Sequence, residues 1–295
     1  MFIEFKWRPS DDPFCAMCDI QRDGKTFKSF LRETKSADDT LGQITSYAAA
    51  HLGSQFRTHV YSVFILKNTA RIIRWDRSGA IVTEAIEYNN FSLLAEFFRR
   101  FSRAPPKVRG IDQSVSKPTS EETIIARQTL ELDANVQLVK LLIPINGALY
   151  SNFITSAPRA TFYTPPGRAT RGFKAYDISR ATLVFVKDSW RVDLPDIQAE
   201  GLTYEMLKKA CVRNVPECVA YGDILDTDYH ATKTFAYSTA SWACLSEAHL
   251  VPHRHYRLAL DIIGRSLVKF KSTYEMVAAV RDAVIGKFHN PIAKE

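Results

Sequence analysis

The sequence predicts an α+β protein built from two units. Three observations carry this. A strand, helix, three-strand, helix order closes by about residue 104. Three of the 13 prolines then fall within 105–118, beside Lys107 and Arg109. Residues 119–295 open on helical stretches and then return to strands, with one helix set among them and an amphipathic helix at the end. The expected division is an α/β domain over 1–104, a linker over 105–118, and a second α+β domain over 119–295.

Taken in order, Phe2 to Trp7 alternates like a strand. Ser10 to Lys35 reads as a polar loop. Leu41, Ile44, Ala48 and Leu52 recur at helical spacing, with Asp38 or Asp39 as cap and Gly53 as stop. Val60 to Leu66 is a continuous apolar run; Lys67-Asn68 turns it into a second strand, Ala70 to Trp75. Asp76-Arg-Ser-Gly79 turns again into Ala80 to Ile86. Leu93, Leu94, Phe97, Phe98 and Phe101 line one face of a helix. Past the linker, Thr119/Ser120 followed by Glu122 signals a capped helix to about Leu132, and Val136 to Leu142 reads as a second. Strands follow at Ala148 to Thr155, Arg171 to Asp177 and Thr182 to Lys187. Glu200 to Cys211 is helical, Cys218 to Ile224 and His255 to Asp261 are strands, and Tyr274 to Phe288 is an amphipathic helix.

At 295 residues with 46% hydrophobic content, each unit can bury its own core. No apolar run reaches the roughly 18 residues of a spanning helix. The start, Met1-Phe-Ile-Glu-Phe-Lys, has an acid at position 4 and no small-residue cleavage site, which excludes a secretory signal. Five cysteines, an odd number, fit a reducing compartment, so the chain is expected to be intracellular, cytoplasmic or nuclear. Cys15-Ala-Met-Cys18 has no second pair at ligand spacing: it is a zinc pair or two unrelated loop cysteines. The net charge of +7 is modest. Its densest part, Arg99 to Arg109, is a solvated linker or a phosphate-binding patch, and nucleic acid is not an expected partner.

The chemistry concentrates in the second unit. Lys187 ends an apolar strand, where an ammonium needs a partner. Glu200 opens a helix thirteen positions later, within reach. Either Lys187 holds phosphates and Glu200 holds Lys187, or Lys187 is a solvated strand end. Asn214-Val-Pro216 leads into the next strand, and Leu258 to Gly264 reads as a strand leaving the core at a glycine. In the first unit, Glu4 and Lys6 share a strand face, and Gln43-x-x-x-Tyr47 shares a helix face.

Through Arg57-Thr-His59, Arg74-Trp-Asp-Arg-Ser-Gly79, Arg109-Gly-Ile-Asp112, Lys187-Asp-Ser-Trp-Arg191, Glu200-Gly-Leu-Thr-Tyr204, Asn214-Val-Pro216 and Asp261-Ile-Ile-Gly-Arg265, the chain resembles the fungal-type protein kinase family. The resemblance implies a kinase N-lobe, a hinge and the first C-lobe helix. It makes Lys187 the lysine of the lobe's third strand and Glu200 its helical partner. The backbone of Asp261 and Ile263 would meet an adenine ring. ATP is the implied cofactor, with Mg²⁺ only alongside nucleotide.

The departures are as informative. Thr155 to Gly172, where the glycine-rich phosphate loop belongs, contains only Gly167, Gly172 and two adjacent prolines. No His-Arg-Asp or Asp-Phe-Gly follows Arg265, and His253-Arg-His255 precedes the hinge. The expectation is a truncated family member that keeps the ATP-binding half, binds nucleotide weakly or not at all, and transfers no phosphate. The alternative is a pseudokinase-like interaction module, associating with a protein partner or with itself through the last helix. The first unit is similar to the PD-(D/E)xK nuclease-like fold, which leaves a vestigial nucleic-acid-binding domain as a third reading.

Overall fold

The computed structural model describes residues 1–22, 25–145, 149–158, 164–224, 227–244, 250–265 and 267–288, and the side chains of all but 16–22, 25–28, 227, 228 and 286–288 among them. In chain order the elements are β1 (Phe2–Phe5), β2 (Phe14–Arg22), β3 (Lys25–Leu31), α1 (Lys35–Ser54), β4 (Val60–Ile65), β5 (Ala70–Trp75), β6 (Ala80–Val82), α2 (Leu93–Arg103), β7 (Val115–Ser116), α3 (Ser120–Leu130), β8 (Leu138–Ile145), β9 (Leu149–Ser156), β10 (Arg171–Asp177), β11 (Thr182–Val192), α4 (Glu200–Lys209), β12 (Cys218–Asp223), α5 (Thr227–His230), β13 (His253–Leu260) and α6 (Thr273–Phe288). The architecture is α+β, and no described helix is long and apolar enough to cross a membrane.

The chain forms two units that interleave in sequence. One comprises Met1–Gln113, Pro158–Ala169 and Leu225–Arg254; the other comprises Ser114–Ala157, Thr170–Ile224 and His255–Glu295.

In the first unit, four strands order as β1-β4-β5-β6. β1 runs parallel to β4, and the long crossover between them carries the β2–β3 hairpin and α1. Helical spacing turns Ile44, Ala48 and Leu52 of α1 onto one face, where they meet Val60, Phe64, Ile73 and Trp75 of the sheet. Each large side chain buried there is worth ~1.5–3 kcal/mol. Phe14 and Phe30 of the hairpin stack at 5.2 Å against the same core.

The turn Asp76–Gly79 joins the later segments to this unit. Asp76 is fully buried. Its Oδ1 accepts from Ser78 N at 2.9 Å; its Oδ2 accepts from Lys233 N at 2.9 Å, Thr234 N at 3.0 Å and Arg74 Nη1 at 2.6 Å. Ser78 Oγ lies 2.7 Å from Thr232 Oγ1 and 2.6 Å from Val251 O. Gly79 has φ +154°, and a Cβ there would come within 3.3 Å of Thr234. One turn thus satisfies backbone donors of a segment more than 150 residues away in sequence.

In the second unit, seven strands order as β12-β13-β11-β10-β9-β8-β7. β8, β9, β10 and β11 are a continuous antiparallel meander, and β12 pairs antiparallel with β13. α3 begins with a full capping box: Thr119 accepts from Glu122 N, and the Glu122 carboxylate accepts from Thr119 N at 2.8 Å. Its Ala126 and Leu130 pack on Leu138, Ile154 and Tyr176.

Several elements differ from the sequence reading. Ser10 to Lys35 contains the β2–β3 hairpin, because Phe14 and Phe30 have a core to enter. α1 is capped by Thr34, whose side chain accepts from Ala37 N at 3.4 Å, and runs to Ser54. The strand expected over 80–86 stops at Val82, and Ile86 returns as an isolated bridge to Ala70. The stretch read as a helix over Val136 to Leu142 is strand from Leu138 on: β8 pairs along its whole length with β9, and that ladder outweighs a helical spacing of leucines.

Replacing Asp76 by alanine leaves three N–H groups, two of them buried, and the Arg74 guanidinium without their acceptor. The expected cost is about 3–5 kcal/mol, read as a lower urea midpoint at an unchanged slope.

Candidate functional site

The site is built on β11 and the helix after it. β11 does not stop at Lys187 as the sequence suggested; it continues to Val192, so Lys187 lies mid-strand. Alternation along the strand sends Val184, Val186, Asp188 and Trp190 into the core and leaves Lys187 on the opposite face. Gly172 of β10 stands directly across from Lys187, and a Cβ there would lie 2.7 Å from the Phe185 ring.

α4 brings Glu200 to that face. Its first turn has no side-chain cap, so its early N–H groups need other acceptors. Tyr256 of β13 supplies one, its hydroxyl accepting from Gly201 N at 2.8 Å. Gly201 also lacks the Cβ that would sit 2.1 Å from the Tyr221 ring, so the helix start can close on β12. Tyr221 in turn donates to Glu205 Oε1 at 2.5 Å. With its helix held at two points, Glu200 meets Lys187: Nζ to Oε2 is 2.5 Å, with the side chains 22% and 32% exposed. At that exposure the pair contributes at most ~1 kcal/mol to stability, and the ammonium remains reachable by a ligand.

Asp261 and Ile263 lie just past β13, the strand next to β11 in the sheet. The Asp261 amide donates to Glu217 O at 3.0 Å, and its carboxylate accepts from Glu217 N at 2.8 Å. Ile262 and Ile263 are exposed beside it.

On the core face of β11 lies a cluster that the sequence reading missed. Asp188 is buried and sits 2.7 Å from His255 Nε2, 2.7 Å from Arg257 Nε and 3.3 Å from Arg171 Nε. Arg257 Nη1 also donates to Ser114 Oγ at 2.8 Å and Leu142 O at 3.0 Å. The His255 ring stacks on Trp190 at 4.9 Å. Burial alone would push the Asp188 carboxyl up, but His255, Arg257 and Arg171 hold it well below the usual carboxylate range. The available signal was His253-Arg-His-Tyr-Arg257: three cationic or titratable residues at alternate positions of a strand whose one face is core.

In the first unit the structure brings together all four residues singled out there. Lys6 Nζ donates to Gln43 Oε1 at 2.8 Å and lies 3.5 Å from Glu4; Gln43 Nε2 donates to Tyr47 Oη at 2.8 Å. The Phe2 ring packs edge-on to Tyr47 at 5.8 Å. Cys15 is partly buried, while the side chain of Cys18 falls outside the described residues.

A group whose folded pKa is depressed adds stability above its unfolded pKa and loses it as pH falls through the folded one. Asp188 should therefore contribute fully at neutral pH and fail in acid, below its unfolded value of about 4. Asp188→Asn is expected to cost about 3–5 kcal/mol at pH 7 and to flatten the stability loss below pH 4, as urea unfolding across pH would show.

No curated protein and no solved structure matches the chain. The family model described as Fungal protein kinase matches residues 11–290. With nearly the whole length matched, the chain belongs to the fungal protein kinase family.

Proposed function

We propose that the second unit is a nucleotide-binding kinase N-lobe in which Lys187 holds ATP phosphates and Glu200 orients Lys187. The observation that carries this is the 2.5 Å pair between mid-strand Lys187 and the first residue of α4. A kinase lobe uses this pair to keep an ammonium aimed at the α- and β-phosphates. The Asp261 carbonyl and the Ile263 backbone supply the adenine contacts. Kinase chemistry uses ATP with Mg²⁺; here Mg²⁺ would enter with the nucleotide, since Glu200, the carboxylate beside Lys187, already accepts from it.

The Glu4, Lys6, Gln43 and Tyr47 chain is assigned a bracing role between β1 and α1. Lys6 is engaged by both Glu4 and Gln43, a contact suited to fixing the helix on the strand.

In thermal unfolding of the 295-residue chain, ATP or ADP at tenfold its Kd should stabilise by about 1.4 kcal/mol. That is a rise of about 3–6 °C. Lys187→Ala and Glu200→Ala should each reduce the rise at equal ligand. A nucleotide shift that survives Lys187→Ala would refute the site.

The exposed face of α6 supports a second role. Tyr274 is 79% and Val277 61% exposed, with Val280 and Val284 exposed along the same helix. Burying one such side chain is worth ~1.5–3 kcal/mol, which favours self-association through this face. Sedimentation equilibrium should show a dimer that Val277→Glu with Val280→Glu converts to monomer. A wild-type monomer at high concentration would remove this role.

A further inference from the structure

Two strings of the sequence, Arg57-Thr-His59 and Arg109-Gly-Ile-Asp112, take no part in the site described above, yet the first unit locks them together. Thr58 N donates to Gly110 O at 3.0 Å, Asp112 N donates to Phe56 O at 3.2 Å, and Arg57 forms a β-bridge with Ile111. Gly110 has φ +84°, and a Cβ there would lie 2.0 Å from His59 O, so the two segments close only on a glycine. The His59 ring reaches Val108 O at 3.0 Å. Arg57 adds its side chain, Nη1 donating to Arg109 O at 3.1 Å and Nε to Gln55 Oε1 at 2.5 Å. Two part-buried arginines are thereby set side by side. Arg109 Nε is buried without an acceptor, and Nδ1 of His51, in the last turn of α1, is buried without a partner. Among the described residues neither guanidinium has a carboxylate against it. Burial, and next the Arg109 guanidinium, press the Arg57 pKa below its usual value. His51 is lowered too, by burial first, then by the α-amino group of Met1 and by Arg57. The carbonyls at the end of α1 offer only a partial negative charge, and Leu52 O already accepts from Arg77. Like charges brought together out of water cost free energy until a counter-charge joins them.

We infer that Arg57 and Arg109 form a binding site for a small oxyanion of the phosphate or sulfate class, held by the two guanidinium groups. Such groups suit this ligand because each presents parallel N–H donors to a pair of oxygens. Arg57 is fixed by its two hydrogen bonds and sets the orientation. Arg109, with no acceptor of its own, brings the second charge. Partial burial favours a compact anion over an extended polyanion laid on the surface. The site lies wholly in the first unit and does not rest on the nucleotide reading of Lys187.

The test is calorimetric titration of the full 295-residue protein with sodium phosphate, and separately with sodium sulfate, at fixed ionic strength. Wild type should bind either ion one to one with a millimolar Kd or tighter. Lys187→Ala, which removes the phosphate contact proposed in the second unit, should bind equally well. Arg109→Gln should weaken binding about tenfold or more, and Arg109→Lys should recover part of the loss by restoring the charge without the fork. Arg103→Gln, at an exposed cation of the same stretch, should leave affinity within about twofold. Relief of an uncompensated charge should also let Arg109→Gln raise the urea midpoint in anion-free buffer. Arg109→Met, which keeps the apolar stem, serves if glutamine does not fold. No heat from wild type, equal affinity in wild type and the Arg109 variants, or binding lost in Lys187→Ala would each overturn the site. A DNA duplex that binds through Arg109 where phosphate gives no heat would overturn the small-ligand assignment.

Discussion

The buried carboxylate of Asp188 is the constraint on which the second unit depends. It is taken out of water on the core side of β11, and such a charge is tolerated only when fully compensated. His255 and Arg257 on β13 and Arg171 on β10 provide that compensation, and Arg257 extends the network to Leu142 on β8 and to Ser114. Strands contributed from residues 114 to 257 are thereby held in one register. A slip of one residue in β11 would expose Asp188 to the wrong face and bury Lys187 in its place. The core network thus decides where the outer-face lysine stands.

Glu200 is placed by an equally indirect route. Its helix begins without a side-chain cap and is held instead by the Tyr256 hydroxyl and by the flat approach of Gly201 to Tyr221. Tyr256 lies on β13 between the two residues that grip Asp188. Strand alternation sends it to the opposite face, toward α4. One strand therefore serves both sides of the sheet: it neutralises the core charge and seats the helix that carries the glutamate. The Lys187–Glu200 pair is set by this strand as much as by its own elements.

The first unit shows a comparable economy. The Asp76–Gly79 turn is short and buried, and its acceptors capture backbone donors at Lys233 and Thr234, while Arg77 captures Pro165. Loops inserted between strands of one unit become parts of the other. The Arg74-Trp-Asp-Arg-Ser-Gly79 string has its explanation here: each polar member has a partner that a substitute would leave unsatisfied.

Local chemistry made much of this legible. The α+β class, the capping box at Thr119, the apolar faces of α1 and α2, and the Lys187 and Glu200 candidates all follow from periodicity, capping and the cost of an unpartnered lysine. These are properties of neighbouring residues, and a sequence displays them. The β2–β3 hairpin, the strand at 138–145, the full length of β11, the Asp188 network and the attachment of 158–169 and 225–254 to the first unit were decided by tertiary structure. Each depends on pairing or charge compensation between residues tens to more than a hundred positions apart. A leucine-rich stretch such as Leu138–Ile145 carries helical and strand spacing at once, and the neighbouring strand β9 makes the choice. A lone Asp beside a Lys carries no sign of which face each will take until β10 and β13 supply the arginines that bury one and leave the other accessible.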